Sequence, residues 1–235
     1  MVLFLSSPAE KDSISPSVKQ KLVIWGASGH ARTVADIVRL EGKYDIVGFL
    51  DDITFQRRGE AFCGSTVLGG REQLRELQEQ GIHHLLLGFG DCQARLRLAD
   101  WIRRQGFQLG TAIHPRAVVA TDVQMGQGTV IAAGAVINPA ASIGENVIIN
   151  TCASVDHECV IEDGCHIAPG VHLGGRVTVG QGAWIGIGAT VKDRVHIGAG
   201  SIIGVGAAVL DDIPEDVMAH GIPAKVIRRV KRDDL

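Results

Sequence analysis

An aliphatic side chain recurs at every sixth position from residue 113 to residue 209, and no other feature restricts the fold of this chain as strongly. If about a third of residues were of this type, chance would fill the series in one register roughly once in 10⁸ trials. A period of six fits neither a helix nor the alternation of an ordinary strand. It predicts a coil with three flat faces, in which the aliphatic side chains point to the axis and residues about 18 apart stack. The series is Ile113, Val119, Met125, Ile131, Ile137, Ile143, Ile149, Val155, Ile161, Ile167, Leu173, Val179, Ile185, Val191, Ile197, Ile203 and Val209.

Small residues and glycines keep the same period. Ala or Cys often stands two residues before the aliphatic position, and Gly recurs three residues after it, where it permits backbone conformations that other residues resist at a corner. Seventeen units make five to six coils without an external loop. We therefore expect a parallel β-helix over residues 111–212. Residues 213–235 are expected to cap it, because an open end exposes backbone donors and apolar surface.

Residues 21–110 alternate short apolar strands with helical segments, which predicts a Rossmann-like α/β domain with a parallel sheet. Ligands of such sheets bind beyond the carboxyl ends of the strands. The turn after the first strand lacks the G-x-G-x-x-G pattern, so a site for one nucleotide is favoured over a dinucleotide site. Alternatively, the glycines only tighten the turn. Asp51 and Asp52, which follow the second strand, are equally suited to a helix cap or a turn. The candidate substrate-binding residues are Gly26, Ser28, Gly29, His30, Asp51 and Asp52.

Composition excludes several other classes of protein. The net charge of −3 gives no sign of a general nucleic-acid binder, and no apolar run approaches the ~20 residues that span a bilayer. The opening MVLFL is too short for a signal-peptide core. The five cysteines show no C-x-x-C spacing and are interpreted as buried thiols in a reducing compartment. We expect a cytoplasmic protein without membrane or nucleic-acid partners, preceded by a flexible extension over residues 1–20.

His157 is the candidate general base. It lies between Asp156 and Glu158, and a neighbouring carboxylate can keep an imidazole oriented and basic. One coil further on stands Gly175, which leaves a side-chain-free patch where a thioester carbonyl could meet a backbone N–H. The alternative is an ordinary solvated histidine.

Two apolar residues, Ile187 and Val205, occupy a corner position that is otherwise polar or small, and they are 18 residues apart. They are expected to stack into an outward apolar stripe, which a pantetheine arm or a neighbouring subunit would cover.

Several segments together resemble the sugar-nucleotide acetyltransferases of the bacterial PglD/NeuD group: GASGHARTVADI, FLDD, AIHPRAVV, NTCASVDHECVIEDGCHIAPGVHLGG and HGIPAKVIR. The resemblance implies a left-handed β-helix, a homotrimer with active sites between adjacent β-helices, and acetyl-CoA as cosubstrate. The acceptor would be the amino group of a nucleotide-linked sugar, of the 4-amino-4,6-dideoxy type, used for bacterial surface glycans.

The resemblance also implies roles for residues. His157 takes a proton from the substrate amine, Glu158 orients it, and the Gly175 amide polarises the thioester. His166 lines the same cleft, and Lys225 meets a phosphate of CoA near the last coils. The N-terminal domain holds the nucleotide diphosphate through Gly29, His30 and Asp51. The chain differs from the group at Ala27-Ser28, where the turn is usually richer in glycine. This difference concerns how the phosphates are contacted and not where they bind.

Other functions stay open at this point. A sugar O-acetyltransferase of the sialic acid type needs the same base. A zinc protein like the γ-type carbonic anhydrases would use histidines between subunits, yet His157 stacks over Gly175 and no metal is expected. A third alternative is a non-catalytic scaffold or sensor that has kept the fold but not the activity. Direct transfer is favoured over a covalent enzyme intermediate, because Cys159 occupies an inward position.

Overall fold

The structure, a computed structural model, describes residues 19–230. The predicted flexible extension therefore lies outside the described residues except for its last two, and Gln20 already begins the first strand. No helix among residues 19–230 is long and apolar enough to cross a membrane.

The N-terminal domain is an α/β domain around a six-stranded sheet in the order β3-β4-β2-β1-β5-β6. All neighbouring pairs are parallel except the hairpin β3–β4. Helix α1 buries residues spaced three and four apart, including Ala31, Val34 and Val38, and ends at Gly42 in the left-handed conformation. The elements are β1 (Gln20–Trp25), α1 (Gly29–Glu41), β2 (Tyr44–Leu50), β3 (Ala61–Phe62), β4 (Ser65–Gly69), α2 (Leu74–Glu79), β5 (His84–Leu87), α3 (Cys92–Arg104) and β6 (Gln108–Leu109).

Seventeen two-residue strands then form a left-handed parallel β-helix, as the sequence predicted. They are β7 (Ala112–Ile113), β8 (Val118–Val119), β9 (Gln124–Met125), β10 (Val130–Ile131), β11 (Val136–Ile137), β12 (Ser142–Ile143), β13 (Ile148–Ile149), β14 (Ser154–Val155), β15 (Val160–Ile161), β16 (His166–Ile167), β17 (His172–Leu173), β18 (Thr178–Val179), β19 (Trp184–Ile185), β20 (Thr190–Val191), β21 (His196–Ile197), β22 (Ile202–Ile203) and β23 (Ala208–Val209).

Three sheets make the faces of the prism. Face 1 is the stack β7-β10-β13-β16-β19-β22, face 2 is β8-β11-β14-β17-β20-β23, and face 3 is β9-β12-β15-β18-β21. Each strand pairs with the strand 18 residues away, as Val130 does with Ile148. The edges between faces are named here by the two faces they join: edge 1–2, edge 2–3 and edge 3–1.

The aliphatic series points inward, as predicted. Every member from Ile131 onward is buried in one continuous core, and the first three are partly buried against it. The corner glycines have positive φ, for example 68° at Gly164 and 67° at Gly182. Several non-glycine residues adopt the same left-handed corner, among them Glu158 at φ 58° and Arg176 at φ 62°. The repeated backbone therefore imposes the corner even where the residue does not favour it.

A C-terminal hairpin extends face 1. Strand β24 (Val217–Gly221) pairs parallel with β22, and β25 (Ala224–Arg229) pairs antiparallel with β24. The N-terminal domain covers the outside of face 1, where Ala112, Val130 and Ile148 are buried. Edge 2–3 therefore lies on the side of the prism opposite the N-terminal domain.

The interpretation of all five cysteines as buried thiols was wrong for two of them. Cys92, Cys159 and Cys165 are buried, but Cys63 is half-buried and Cys152 is exposed on edge 1–2. Cys152 is exposed because it occupies a left-handed corner position, with φ 56°, rather than the inward small-residue position. All five are unpaired.

Candidate active site

His157 lies on edge 2–3, in the turn that follows β14, and its side chain is 51% exposed. Its backbone N–H donates to Asp156 Oδ1 at 2.7 Å, and Asn138 Nδ2 on the preceding coil donates to the same oxygen at 2.8 Å. The hydrogen bond from Asn138 first, and then that from the His157 N–H, lower the pKa of the Asp156 carboxyl. Asp156 thus shapes the turn.

Glu158 supplies the carboxylate that orients the imidazole. Its Oε2 lies 2.9 Å from His157 Nδ1 and 2.9 Å from Arg176 Nε on the next coil. Arg176 first, and His157 second, hold the pKa of the Glu158 carboxyl below its usual value. An ionised carboxylate accepts only, so Nδ1 carries the proton and Nε2 keeps a free lone pair. This arrangement suits a general base at Nε2.

Gly175 lies directly against the imidazole. A Cβ at this position would stand 2.6 Å from His157 Nε2 and 2.7 Å from Cε1. Gly175 has no positive φ, so space and not backbone conformation requires glycine here. In residues 19–230 the Gly175 N–H has no backbone acceptor, while its carbonyl accepts from the Arg194 N–H at 2.9 Å. A free N–H beside the base is the arrangement of an oxyanion-binding site.

A groove runs along edge 2–3 from His157 toward the cap. A cavity of about 480 Å³ lies between His157 and Asp193, and a second of about 390 Å³ continues it to Asp212. Residues 192–194 line both cavities. The groove carries both signs of charge, because Arg176, Lys192 and Arg194 line it together with four aspartates, at positions 156, 193, 211 and 212. Arg176 pairs with Glu158 and Arg194 with Asp193, so Lys192 is the groove cation with which no carboxylate of residues 19–230 pairs.

The predicted cofactor-binding residues do not all meet in one chain. Ile187 and Val205 stack on edge 1–2, where they are 51% and 68% exposed. Lys225 is exposed on β25 of the cap. His166 lies on face 1 and is only 8% exposed. Within one chain, His166 therefore does not line the groove beside His157, because the N-terminal domain covers the face that carries it.

A separate and larger cavity, of about 780 Å³, lies at the carboxyl ends of β1, β2, β4 and β5. Four of the predicted substrate residues line it: Gly26, Ser28, Asp51 and Asp52. Gly29 and His30 begin α1 immediately after this lining. Gly26 has φ 125°, and a Cβ there would stand 2.9 Å from the Gly88 carbonyl oxygen, so this turn requires glycine. Trp25, Phe89, Leu98 and Trp101 add apolar surface to the cavity.

The two acids turn out to have structural partners inside this cavity. Asp51 Oδ1 accepts from the backbone N–H groups of Ile53 at 2.9 Å and Thr54 at 3.1 Å, which is a turn cap. Asp52 Oδ2 accepts hydrogen bonds from Arg71 Nε at 3.0 Å and from a terminal guanidinium nitrogen of Arg71 at 2.7 Å. Both carboxylates still line the cavity, so a cap and a ligand contact are compatible here.

The sequence reasoning missed a buried polar cluster between the domains. His30 and His166 have ring centroids 6.1 Å apart, and Asn150 Nδ2 lies 3.2 Å from His166 Nε2. Burial first, and then Arg95, lower the pKa of His30 to about 4 and that of His166 to about 3. Arg95 was detectable, because it lies three residues after Cys92 and four before Ala99 on the buried stripe of α3.

No group of three or more His, Cys, Asp or Glu side chains in residues 19–230 is arranged to hold a metal ion.

Known proteins match both halves of the chain. Residues 21–102 match the PglD N-terminal domain, and residues 140–175 match the bacterial transferase hexapeptide family of six repeats. A histidine variant of GDP-perosamine N-acetyltransferase from Caulobacter crescentus, solved with CoA and GDP-perosamine, is 39% identical with a TM-score of 0.82; the match covers 90% of this chain and 98% of that one.

Two further structures match at similar length. The acetyltransferase domain of PglB from Neisseria gonorrhoeae, in complex with acetyl coenzyme A, is 35% identical with a TM-score of 0.83, over 89% of this chain and 100% of that one. WeeI from Acinetobacter baumannii is 25% identical with a TM-score of 0.78, over 89% and 100%. The chain therefore belongs to the PglD-type acetyltransferases of the hexapeptide-repeat superfamily and is an acetyl-CoA-dependent acetyltransferase.

Proposed function

We propose that this enzyme transfers the acetyl group of acetyl-CoA to the amino group of a nucleotide-linked sugar of the 4-amino-4,6-dideoxy type, in the synthesis of bacterial surface glycans. The observation that carries the proposal is the His157–Glu158 pair held against Gly175 beside an open groove. A separate cavity of about 780 Å³ at the carboxyl edge of the sheet supports a nucleotide-linked acceptor. GDP-perosamine is the first acceptor to test, since the 39% identical enzyme is named for it.

The proposed chemistry is direct transfer. The amine nitrogen attacks the thioester carbonyl while His157 Nε2 takes an amine proton, and the resulting imidazolium is stabilised by Glu158. The Gly175 N–H donates to the oxyanion of the tetrahedral intermediate. The intermediate collapses by breaking the C–S bond, and the thiolate of CoA leaves and receives the proton from His157. The products are the N-acetylated sugar and CoA thiol.

The placement of the two cavities supports a homotrimer with shared active sites. The cavity of about 780 Å³ at the carboxyl edge of the sheet, called the nucleotide cavity from here on, belongs to the domain that covers face 1. His157 lies on the opposite edge of the same prism. Acceptor and base of one chain are therefore kept apart by the β-helix. They meet if edge 2–3 of one subunit packs beside face 1 and edge 1–2 of the next.

The same packing gives the cofactor residues a common ligand. Acetyl-CoA would lie in the groove of one subunit with its thioester at His157 and its pantetheine arm against Ile187 and Val205 of the next subunit, where His166 would also approach. Its phosphates would reach the basic groove residues and Lys225 of the cap. Acetyl-CoA as cosubstrate and the five unpaired cysteines fit the cytoplasm as its location.

The acceptor is tested with a panel of nucleotide-linked amino sugars, with thiol release followed together with mass spectrometry of the product. Acetylation of the amino group of GDP-, UDP- or dTDP-linked sugars supports the proposal and identifies the nucleotide. Acetylation of a hydroxyl group, for example on sialic acid, together with inert amino sugars would reject it in favour of O-acetyl transfer. The His157→Ala variant, which should keep its oligomeric state, is expected to lose about 10²-fold or more in kcat.

The shared site is tested by mixing two inactive variants. His157→Ala removes the base, and Ser28→Trp fills the nucleotide cavity. Ser28 lines this cavity, and its side chain makes no capping hydrogen bond to α1 that the substitution would remove. In randomly mixed trimers, sites that take an intact base from one subunit and an intact cavity from the next should restore about a quarter of the wild-type rate. Mixed oligomers that show no recovered activity would mean that each chain carries a complete site.

A further inference from the structure

The buried guanidinium of Arg95 has no role in the chemistry proposed above. Arg95 is 1% exposed, and it makes no ion pair with a carboxylate among residues 19–230. Burial lowers its pKa, which reflects the cost of removing the charge from water. An apolar side chain of similar length would fill the same space without that cost. What the guanidinium contributes must therefore lie in its hydrogen bonds and its charge.

The hydrogen bonds of Arg95 join the two domains. One terminal nitrogen donates to the carbonyls of Gly90 at 2.5 Å and Phe89 at 3.4 Å, in the loop after β5. The other donates to the carbonyls of Gly164 at 2.8 Å and Cys165 at 3.2 Å, on edge 3–1 of the β-helix. Phe89 and Gly90 line the nucleotide cavity. One side chain thus binds a wall of that cavity directly to the coil that leads into β16.

The first residue of β16 is His166, so Arg95 also controls the surroundings of this histidine. The Gly90 carbonyl that accepts from Arg95 lies 3.4 Å from His166 Nδ1. The groups recorded around His166 are His30 from α1, the Gly90 carbonyl after β5, Asn150 and Trp184 from neighbouring coils of face 1, and the charge of Arg95 from α3. No carboxylate is among them, so the charge of Arg95 opposes a second positive charge on either imidazole.

We propose that Arg95 is a positioning residue that fixes the Phe89–Gly90 wall of the nucleotide cavity against the β-helix, and that its charge adds to burial in disfavouring a charged His30 or His166. The proposal rests on the proposed function in one respect, namely that the cavity takes the nucleotide-linked acceptor. Neutral imidazoles offer both a donor and an acceptor nitrogen, which suits hydroxyl and amino groups of a sugar. His30 Nε2 is buried and has no hydrogen-bond partner in the described chain, so it retains the capacity for one.

The test compares Arg95→Met, which removes the charge and the hydrogen bonds, with Arg95→Lys, which keeps the charge but loses the forked geometry. Arg104→Met is the matched control, because Arg104 lies on the same helix, is exposed and pairs only with Asp100 in the described chain. The probes are GDP binding followed by tryptophan fluorescence, the separate KM values for acceptor and acetyl-CoA, and NMR titration of the His30 and His166 ring protons.

The expected result is a split between ligands and between variants. Loss of a hydrogen bond from a charged donor weakens what it holds by about tenfold or more, so both Arg95 variants should bind GDP and the acceptor at least about tenfold more weakly, with a clearly smaller change in KM for acetyl-CoA. Removing the positive charge should raise the pKa of His30 and His166 in Arg95→Met but not in Arg95→Lys. If Arg95→Met does not fold, Arg95→Lys decides by its split between the two KM values.

Two outcomes would overturn the proposal. One is an equal change in both KM values together with a lower melting temperature, which describes a purely structural role. The other is an unchanged histidine titration in a folded Arg95→Met protein. The titration needs no substrate, so it tests Arg95 even if the acceptor is wrongly assigned. A wild-type protein that binds no nucleotide would count against the proposed function instead.

Discussion

Replacing Gly175 by Ala tests the central contact of the proposed site with one methyl group. The added Cβ would stand 2.6 Å from His157 Nε2, whereas ordinary van der Waals contact begins at about 3.4 Å. The imidazole must therefore withdraw by about 0.8 Å, or rotate away from Glu158. Because Gly175 has no positive φ, alanine fits its backbone, and the fold should survive.

The expected consequence is a loss of kcat. A displacement of about 1 Å in a reacting group can cost about 10²-fold in rate. The Gly175 N–H is kept in this variant, so the loss reports the position of the base and not a missing donor. The assay follows thiol release at saturating acceptor and acetyl-CoA, with the melting temperature measured in parallel.

Gly81→Ala serves as the control for a methyl group added away from the site. Gly81 lies between α2 and β5, and a Cβ there meets no heavy atom within 4 Å, although its φ of 73° adds some strain. It should lose up to about 1–2 kcal/mol of stability and keep its rate. A Gly175→Ala protein with kcat within about threefold of wild type would refute the assignment of His157 as the base in this position.

Three further predictions follow from the same geometry. Glu158→Gln should lower kcat by about tenfold or more at unchanged fold, because an amide does not stabilise the imidazolium; a pH–rate profile identical to wild type would contradict this. The pKa values of His30 and His166 in the folded protein, about 4 and about 3, lie below the ordinary histidine value of 6.5, so the unfolded chain binds more protons. The melting temperature should therefore fall as the pH drops from about 6.5 to 4, and His166→Asn should make this fall less steep. The double variant Ile187→Asp with Val205→Asp should raise KM for acetyl-CoA or dissociate the oligomer, which light scattering would measure. If neither KM nor the oligomeric state changes, the exposed stripe contacts neither the pantetheine arm nor a neighbouring subunit.

Much of the catalytic edge could be predicted from the sequence, because a rigid repeat converts spacing into position. The period of six places Gly175 one coil from His157, and the structure brings the two into contact. It also places Ile187 and Val205 on one edge, where both are exposed. Arg176, which shares the Glu158 carboxylate, is 18 residues from it and follows from the same rule.

The N-terminal domain was less predictable in detail. The hairpin β3–β4 was missed, although its two-residue turn, Cys63–Gly64, has positive φ at both positions, 45° and 69°. Its strands are short, so alternation gave little signal, and Cys at the first turn position is not a usual marker. The helix after β4 is short, since regular helix covers only Leu74–Glu79.

The interdomain cluster was missed because spacing within the β-helix does not say which face another domain covers. A second period nevertheless contains that information. The residue before each inward aliphatic residue points outward, and every third one belongs to the same face. On face 1 these outward residues are Ala112, Val130, Ile148, His166, Trp184 and Ile202; on face 2 they are Val118, Val136, Ser154, His172, Thr190 and Ala208; on face 3 they are Gln124, Ser142, Val160, Thr178 and His196.

Face 1 is the most apolar of the three columns, which predicts that it is the covered face, and the structure places the N-terminal domain there. His166 is the single polar member of that column. A polar side chain in an otherwise apolar interface needs partners or a ligand, because burying it alone is unfavourable. Asn150, Gly90, His30 and Trp184 are the groups it meets. Reading every eighteenth outward residue would therefore have indicated both the docking face and the buried histidine before any fold was known.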